Sequence, residues 1–74
     1  MKTYRTTEQF LSIVENCING NWSDAANECI EYGFYAQDLI NKHNEADMVG
    51  FETFNDATDI ALVSEMAASI RFNN

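Results

Sequence analysis

The chain is 74 residues long, 46% hydrophobic and 12% aromatic, with twelve Asp and Glu against four Lys and Arg for a net charge of −8. That length allows one domain, and the apolar content is too high for a disordered acidic segment. A field of this sign repels nucleic-acid phosphates and anionic lipid, and it draws in basic partners.

The bases are Lys2, Arg5, Lys42 and Arg71. Between Thr6 and Asn41 there are six acids and no base, and between His43 and Ile70 six more acids and again no base. No apolar run follows Lys2 as a secretory leader would require, and no window approaches the roughly 18 apolar residues of a membrane span. The expectation is therefore a single acidic helical domain over residues 1–74, located in the cytoplasm. Two cysteines, Cys17 and Cys29, are too few for a disulfide scaffold, and their helical phase predicts buried thiols.

The first helix is well signalled over residues 7–18. Thr6 and Gln9 fit a capping box, and Glu8 suits the positive helix start. Phe10, Ile13, Val14 and Cys17 recur at helical spacing, with Leu11 and Ile18 widening the stripe. Gly20, in Asn19-Gly20-Asn21, is the expected left-handed stop.

The second element begins near Ser23, read as an N-cap, with Asp24 in the first turn. Its end depends on Gly33 in Glu28-Cys29-Ile30-Glu31-Tyr32-Gly33-Phe34-Tyr35. A continuous helix over 24–44 places Ala26, Cys29, Ile30, Gly33, Ala36 and Ile40 on one face, flanked by Ala25, Tyr32 and Leu39. The opposite face then holds Asp24, Glu28, Glu31, Tyr35, Asp38, Lys42 and Glu45. An interior glycine costs only about 1 kcal/mol, and the phase does not slip across it. One long helix is the preferred reading. The alternative makes Gly33 a cap and starts a new helix at Phe34.

Residues 44–56 read as a loop, with Met48, Val49, Phe51 and Phe54 tucked beneath it. Thr53 or Asn55 caps a last helix over 56–70, favoured by Asp56 and Asp59 at its start and Arg71 at its end. Ile60, Val63, Ala67 and Ile70 line its inner side, and the terminal Phe72-Asn73-Asn74 is expected to fray. Phe10, Trp22, Phe51 and Phe54 are core candidates; Tyr4, Tyr35 and Phe72 are candidates for exposure. The fold class is all-α: a small antiparallel bundle of three helices with a long central helix, or of four if Gly33 breaks it.

No catalytic, cofactor or metal site is expected. His43 is the only histidine and reads as a cation at a helix end. Ser64 and Ser69 have no nucleophile setting, and acid pairs such as Asp56 and Asp59 are uninformative among twelve acids. The stretch Asn41–Glu52 lacks the oxygen ligands of a calcium loop, and the glycines are isolated. Acyl carrier proteins share the size, charge and helix content, but their Asp-Ser-Leu attachment motif is missing: Ser23 lies between Trp22 and Asp24.

The functional expectation comes from charge. In a continuous central helix, acids at 24, 31, 38 and 45 step about 10.5 Å each, making a row about 30 Å long. Asp24, Glu28, Glu31, Asp38 and Glu45, with Tyr35 as an anchor among them, are the expected partner-binding residues. The expected partner is a basic protein or nucleoprotein surface, such as a nucleic-acid-binding complex. The chain would act as an inhibitor or modulator, similar in style to the DNA-mimicking anti-restriction and anti-CRISPR proteins of phages. Direct binding of nucleic acid or membrane is disfavoured. The alternative is a regulatory or self-associating module that binds through an apolar face, its acids serving solubility.

Overall fold

The computed structural model describes residues 5–73 and contains four helices: α1 (Thr7–Ile18), α2 (Trp22–Tyr32), α3 (Ala36–Val49) and α4 (Ala57–Asn73). Among the described residues there is no strand, so the all-α class and the bundle hold. Lys2, Tyr4 and Asn74 lie outside the described residues.

The first helix has the expected bounds. Gln9 N–H donates to Thr6 Oγ1 at 3.1 Å, and Thr6 N–H donates to Gln9 Oε1 at 3.0 Å, closing the capping box. Phe10, Ile13, Val14 and Cys17 are its buried face.

The long central helix does not exist. Gly33 has φ +78° and terminates α2 in the left-handed conformation. Phe34 N–H reaches back to Cys29 O at 2.8 Å and Gly33 N–H to Ile30 O at 3.4 Å. This is the paired-bond stop that satisfies the last carbonyls of a helix. The same-phase pattern across Gly33 is therefore not a continuous face. What overrides it is Phe34, which is 1% exposed. In a continuous helix that ring would project from the flank; the break turns it into the core. Burying a phenylalanine is worth about 2–3 kcal/mol, more than an uninterrupted helix adds per residue.

Tyr35 then starts α3 as its N-cap, and Tyr35 N–H donates to Asp38 Oδ2 at 2.9 Å. The helix continues past Asn44, where a loop was expected, to Val49, and Gly50 ends it at φ +78° with Phe51 N–H on Ala46 O at 2.8 Å. Two further expectations shift. The start of α2 lies two residues earlier than expected, with Asn21 rather than Ser23 as N-cap. At the head of α4, Asp56 Oδ1 accepts from Thr58 N–H at 2.8 Å, so Asp56 does the capping expected of Thr53 or Asn55. The last helix also runs on through Phe72 and Asn73.

The core centres on Phe10. Its ring lies 6.4 Å from that of Phe34 and 5.6 Å, edge-on, from that of Phe54, spacings at which aromatic pairs attract. Ile13, Leu39, Val63, Ala25, Ala26 and Cys29 complete it. The principal packing pairs are α1 with α2, α2 with α4, α3 with α4 and α1 with α3. Arg5, just ahead of α1, reaches Gly33 O at the end of α2. Arg71 at the end of α4 lies on Tyr35 at the start of α3, while His43, midway along α3, meets Phe54 ahead of α4. Both hairpins are thus antiparallel.

Candidate functional site

The residues expected to form one acidic row divide into two groups. Asp24 and Glu31, seven apart on α2, are exposed. Glu28, between them, is turned inward. Ser12 Oγ donates to Glu28 Oε2 at 2.6 Å, and Asn16 Nδ2 donates to Glu28 Oε1. Glu28 therefore bridges α1 and α2 and is spent on the fold. Ser12, Asn16 and Glu28 share no sequence motif; only the packing of α1 on α2 brings them together.

Across the Gly33 break, Asp38 is also engaged. It accepts from Tyr35 N–H and lies 3.8 Å from Arg5 Nε. Glu45 is exposed and lies 4.0 Å from Lys42 Nζ. The Tyr35 ring is 60% exposed, but its face is covered by the Arg71 guanidinium, 4.0 Å from the centroid. The six expected partner-binding residues thus do not make a 30 Å row. Asp24 and Glu31 form one free pair on α2, and Glu45 belongs to a separate surface on α3.

The surface is nonetheless acidic. Nine of the twelve carboxylates are on exposed residues, all but Glu28, Asp38 and Asp59. The three described bases are already occupied. Arg5 pairs with Asp38, Lys42 with Glu45, and Arg71 donates to Cys29 O at 3.1 Å and Phe34 O at 2.9 Å while stacking on Tyr35. Little of the negative field is neutralised by free cations. The Thr58 hydrogen bonds hold the Asp56 carboxyl below its ordinary range.

The thiols are chemically quiet. Burial, with smaller contributions from Cys29, Asp59 and Glu28, pushes Cys17 up to about 12. Burial likewise raises Cys29 to about 11, against the opposing effect of Arg71. Both are free and buried, as their helical phase predicted, and their thiolate fraction at neutral pH is negligible. Burial also raises the Tyr32 hydroxyl, helped by Glu31 and Glu28. Among the described residues no group of three His, Cys, Asp or Glu could hold a metal ion, and no helix is long and apolar enough to cross a membrane.

Two apolar features escaped the sequence reading. Met48, Val49 and Phe51, expected beneath a loop, are 87%, 66% and 56% exposed. The signal that would have placed them was Gly50, which ends α3 as Gly33 ends α2. The second is a groove of about 550 Å³ between α3 and α4, walled by Ala36 and Ile40 on one side and Ala57, Ile60 and Ala61 on the other. His43, expected at a helix end, instead sits well inside α3 and lines this groove. The chain matches no protein-family model, no curated protein and no solved structure.

Proposed function

We propose that this protein is a non-enzymatic binding module whose acidic surface engages a basic protein surface, of the kind a nucleic-acid-binding complex presents, and so inhibits or modulates it. The observation carrying this reading is the imbalance at the surface. Nine carboxylates are on exposed residues, while Arg5, Lys42 and Arg71 each have a partner within the chain. Such a field steers encounter with basic partners and makes it salt-sensitive. A single nucleic-acid-like row is no longer part of the reading, because Gly33 divides it. The acids act as a broad field, with Asp24 and Glu31 its free pair on α2.

The test is affinity capture from a bacterial lysate at low and moderate salt, with the native chain and with the double variant Asp24→Asn, Glu31→Gln. Basic proteins should be retained at low salt, released at moderate salt, and depleted on the variant, whose helical circular dichroism should be unchanged. Retention that ignores both salt and the substitutions sinks the reading.

A second reading is favoured by the exposed Met48, Val49 and Phe51: association through an apolar face, with a second copy as the simplest partner. It calls for a dimer in sedimentation that tolerates salt and is lost in Met48→Glu.

A further inference from the structure

The groove between α3 and α4 differs from the acidic surface because its walls are apolar and its rim is charged. Ala36 and Ile40 are one turn apart on α3, and Ala57 and Ala61 one turn apart on α4; all four residues are exposed, over a floor that includes buried Ile60. Ile40 is 39% exposed, high for an isoleucine in a wall between two packed helices. The three alanines keep the walls low, so another backbone can approach closely.

The rim has one sign. Asp47 lies one turn beyond His43 on α3, Asp56 immediately precedes Ala57, and Glu65 lies one turn beyond Ala61. All three are exposed. Because α3 and α4 are antiparallel, with His43 beside Phe54, Asp47 and Asp56 lie towards one end of the groove and Glu65 towards the other. Neither Lys42 nor Arg71 compensates them, since Lys42 is turned to Glu45 and Arg71 to Tyr35.

Beneath the walls lie two polar atoms without a partner in the chain. His43 Nδ1 and Ser64 Oγ are buried, both residues line the groove, and neither atom makes a hydrogen bond within the chain. Leaving such atoms unpaired is costly. They are the only buried side-chain polar atoms without a partner among the described residues, and both fall here.

We infer that this groove is the docking site for a short basic amphipathic helix of a partner protein; the inference rests on the proposed recognition of basic partners and locates it. From Ala36 to His43, and from Ala57 to Ser64, the walls rise about 10 Å, or two helical turns. A helix of two to three turns with apolar side chains at i, i+3 or i+4 and i+7 fills that length. Its lysines or arginines then fall opposite Asp47, Asp56 and Glu65. A second copy of this chain fits less well, because its α-helices are as acidic as the rim, and like charges across an interface are costly.

The experiment is a titration of the isotope-labelled full chain, followed by amide NMR shifts, with a helical peptide of leucine and lysine patterned on one face. Two control peptides accompany it: one of the same composition with the pattern scrambled, and one with glutamine in place of lysine. The inference expects saturable shifts at Ile40, Ala57 and Ala61 with the patterned peptide, and at least about tenfold weaker binding of either control. Ala61→Arg, at an exposed position, should weaken the patterned peptide by a similar factor while Asp24→Asn with Glu31→Gln changes it little. If Ala61→Arg loses helicity, Ala57→Gln makes the same test.

Shifts that gather instead around Asp24 and Glu31, untouched by Ala61→Arg, overturn the groove and leave the acidic-surface reading standing. Equal binding of the glutamine peptide overturns the basic character of the occupant. Groove shifts that grow with protein concentration alone assign the groove to self-association and overturn the inference too. So does the absence of any peptide binding when salt-sensitive capture of basic proteins persists.

Discussion

Arg71 lies over the ring of Tyr35, its guanidinium carbon 4.0 Å from the ring centroid, and the same side chain donates to Cys29 O and Phe34 O. One residue at the end of α4 thus closes the end of α2 and covers the start of α3. A cation against the carbonyls that end a helix is favourable on both dipole and hydrogen-bond grounds. This contact ties together the two halves of the chain on either side of Gly33.

Replacing Arg71 by Ala should therefore cost more than a surface charge does. Two charge-assisted hydrogen bonds and a cation–π contact sum to about 3 kcal/mol. Tyr35→Phe should cost little and Tyr35→Ala about 1 kcal/mol. Urea unfolding would measure both, and a double-mutant cycle would isolate their coupling. A cost for Arg71→Ala within the range of an ordinary surface substitution would count against the capping role.

Gly33 offers a test by sign. At φ +78° an alanine is strained, so Gly33→Ala should destabilise by about 1 kcal/mol. Inside a continuous helix the same change would stabilise by about 1 kcal/mol. The direction of the shift in the unfolding midpoint decides between a helix stop and a helix interior.

Glu28 and Asp24 should separate cleanly. Glu28→Ala strands the Ser12 hydroxyl and the Asn16 amide at the α1–α2 contact and should cost about 1–3 kcal/mol. Asp24→Ala, at an exposed position, should stay within about 0.5 kcal/mol. Thermal unfolding of the two variants under one buffer compares them directly.

Alkaline pH should weaken the fold through the cysteines. Burial raises Cys17 to about 12 and Cys29 to about 11, so the folded chain keeps protons that the unfolded chain releases near pH about 8.5. Their contribution is intact below that pH and is lost as pH rises through the folded values. Replacing both with Ala, at some cost in packing, should flatten the stability profile above pH about 9. In the native protein, a thiol reagent at neutral pH should react only as fast as the fold opens.

Much of this architecture was legible along the chain. Thr6 and Gln9 marked the start of α1, and Phe10, Ile13, Val14 and Cys17 marked its buried face, because capping and helical period are local properties. The same holds for the buried thiols and for the inner face of α4 at Ile60, Val63 and Ala67. Period alone could not show whether Gly33 sits within a helix or ends one, since the apolar positions keep phase either way.

Length and composition determined that the protein is small and strongly acidic, because those properties are sums over residues. Which acids remain free was decided only by tertiary structure. Glu28 is drawn inward by Ser12 and Asn16, and Asp38 is held by the Tyr35 amide and Arg5. The α3–α4 groove likewise exists only once the Gly50 turn has laid the two helices side by side. A carboxylate's availability and a groove's shape depend on contacts between residues far apart in sequence. The core that sets those contacts is closed by Phe34, the residue that the Gly33 break releases from the helix.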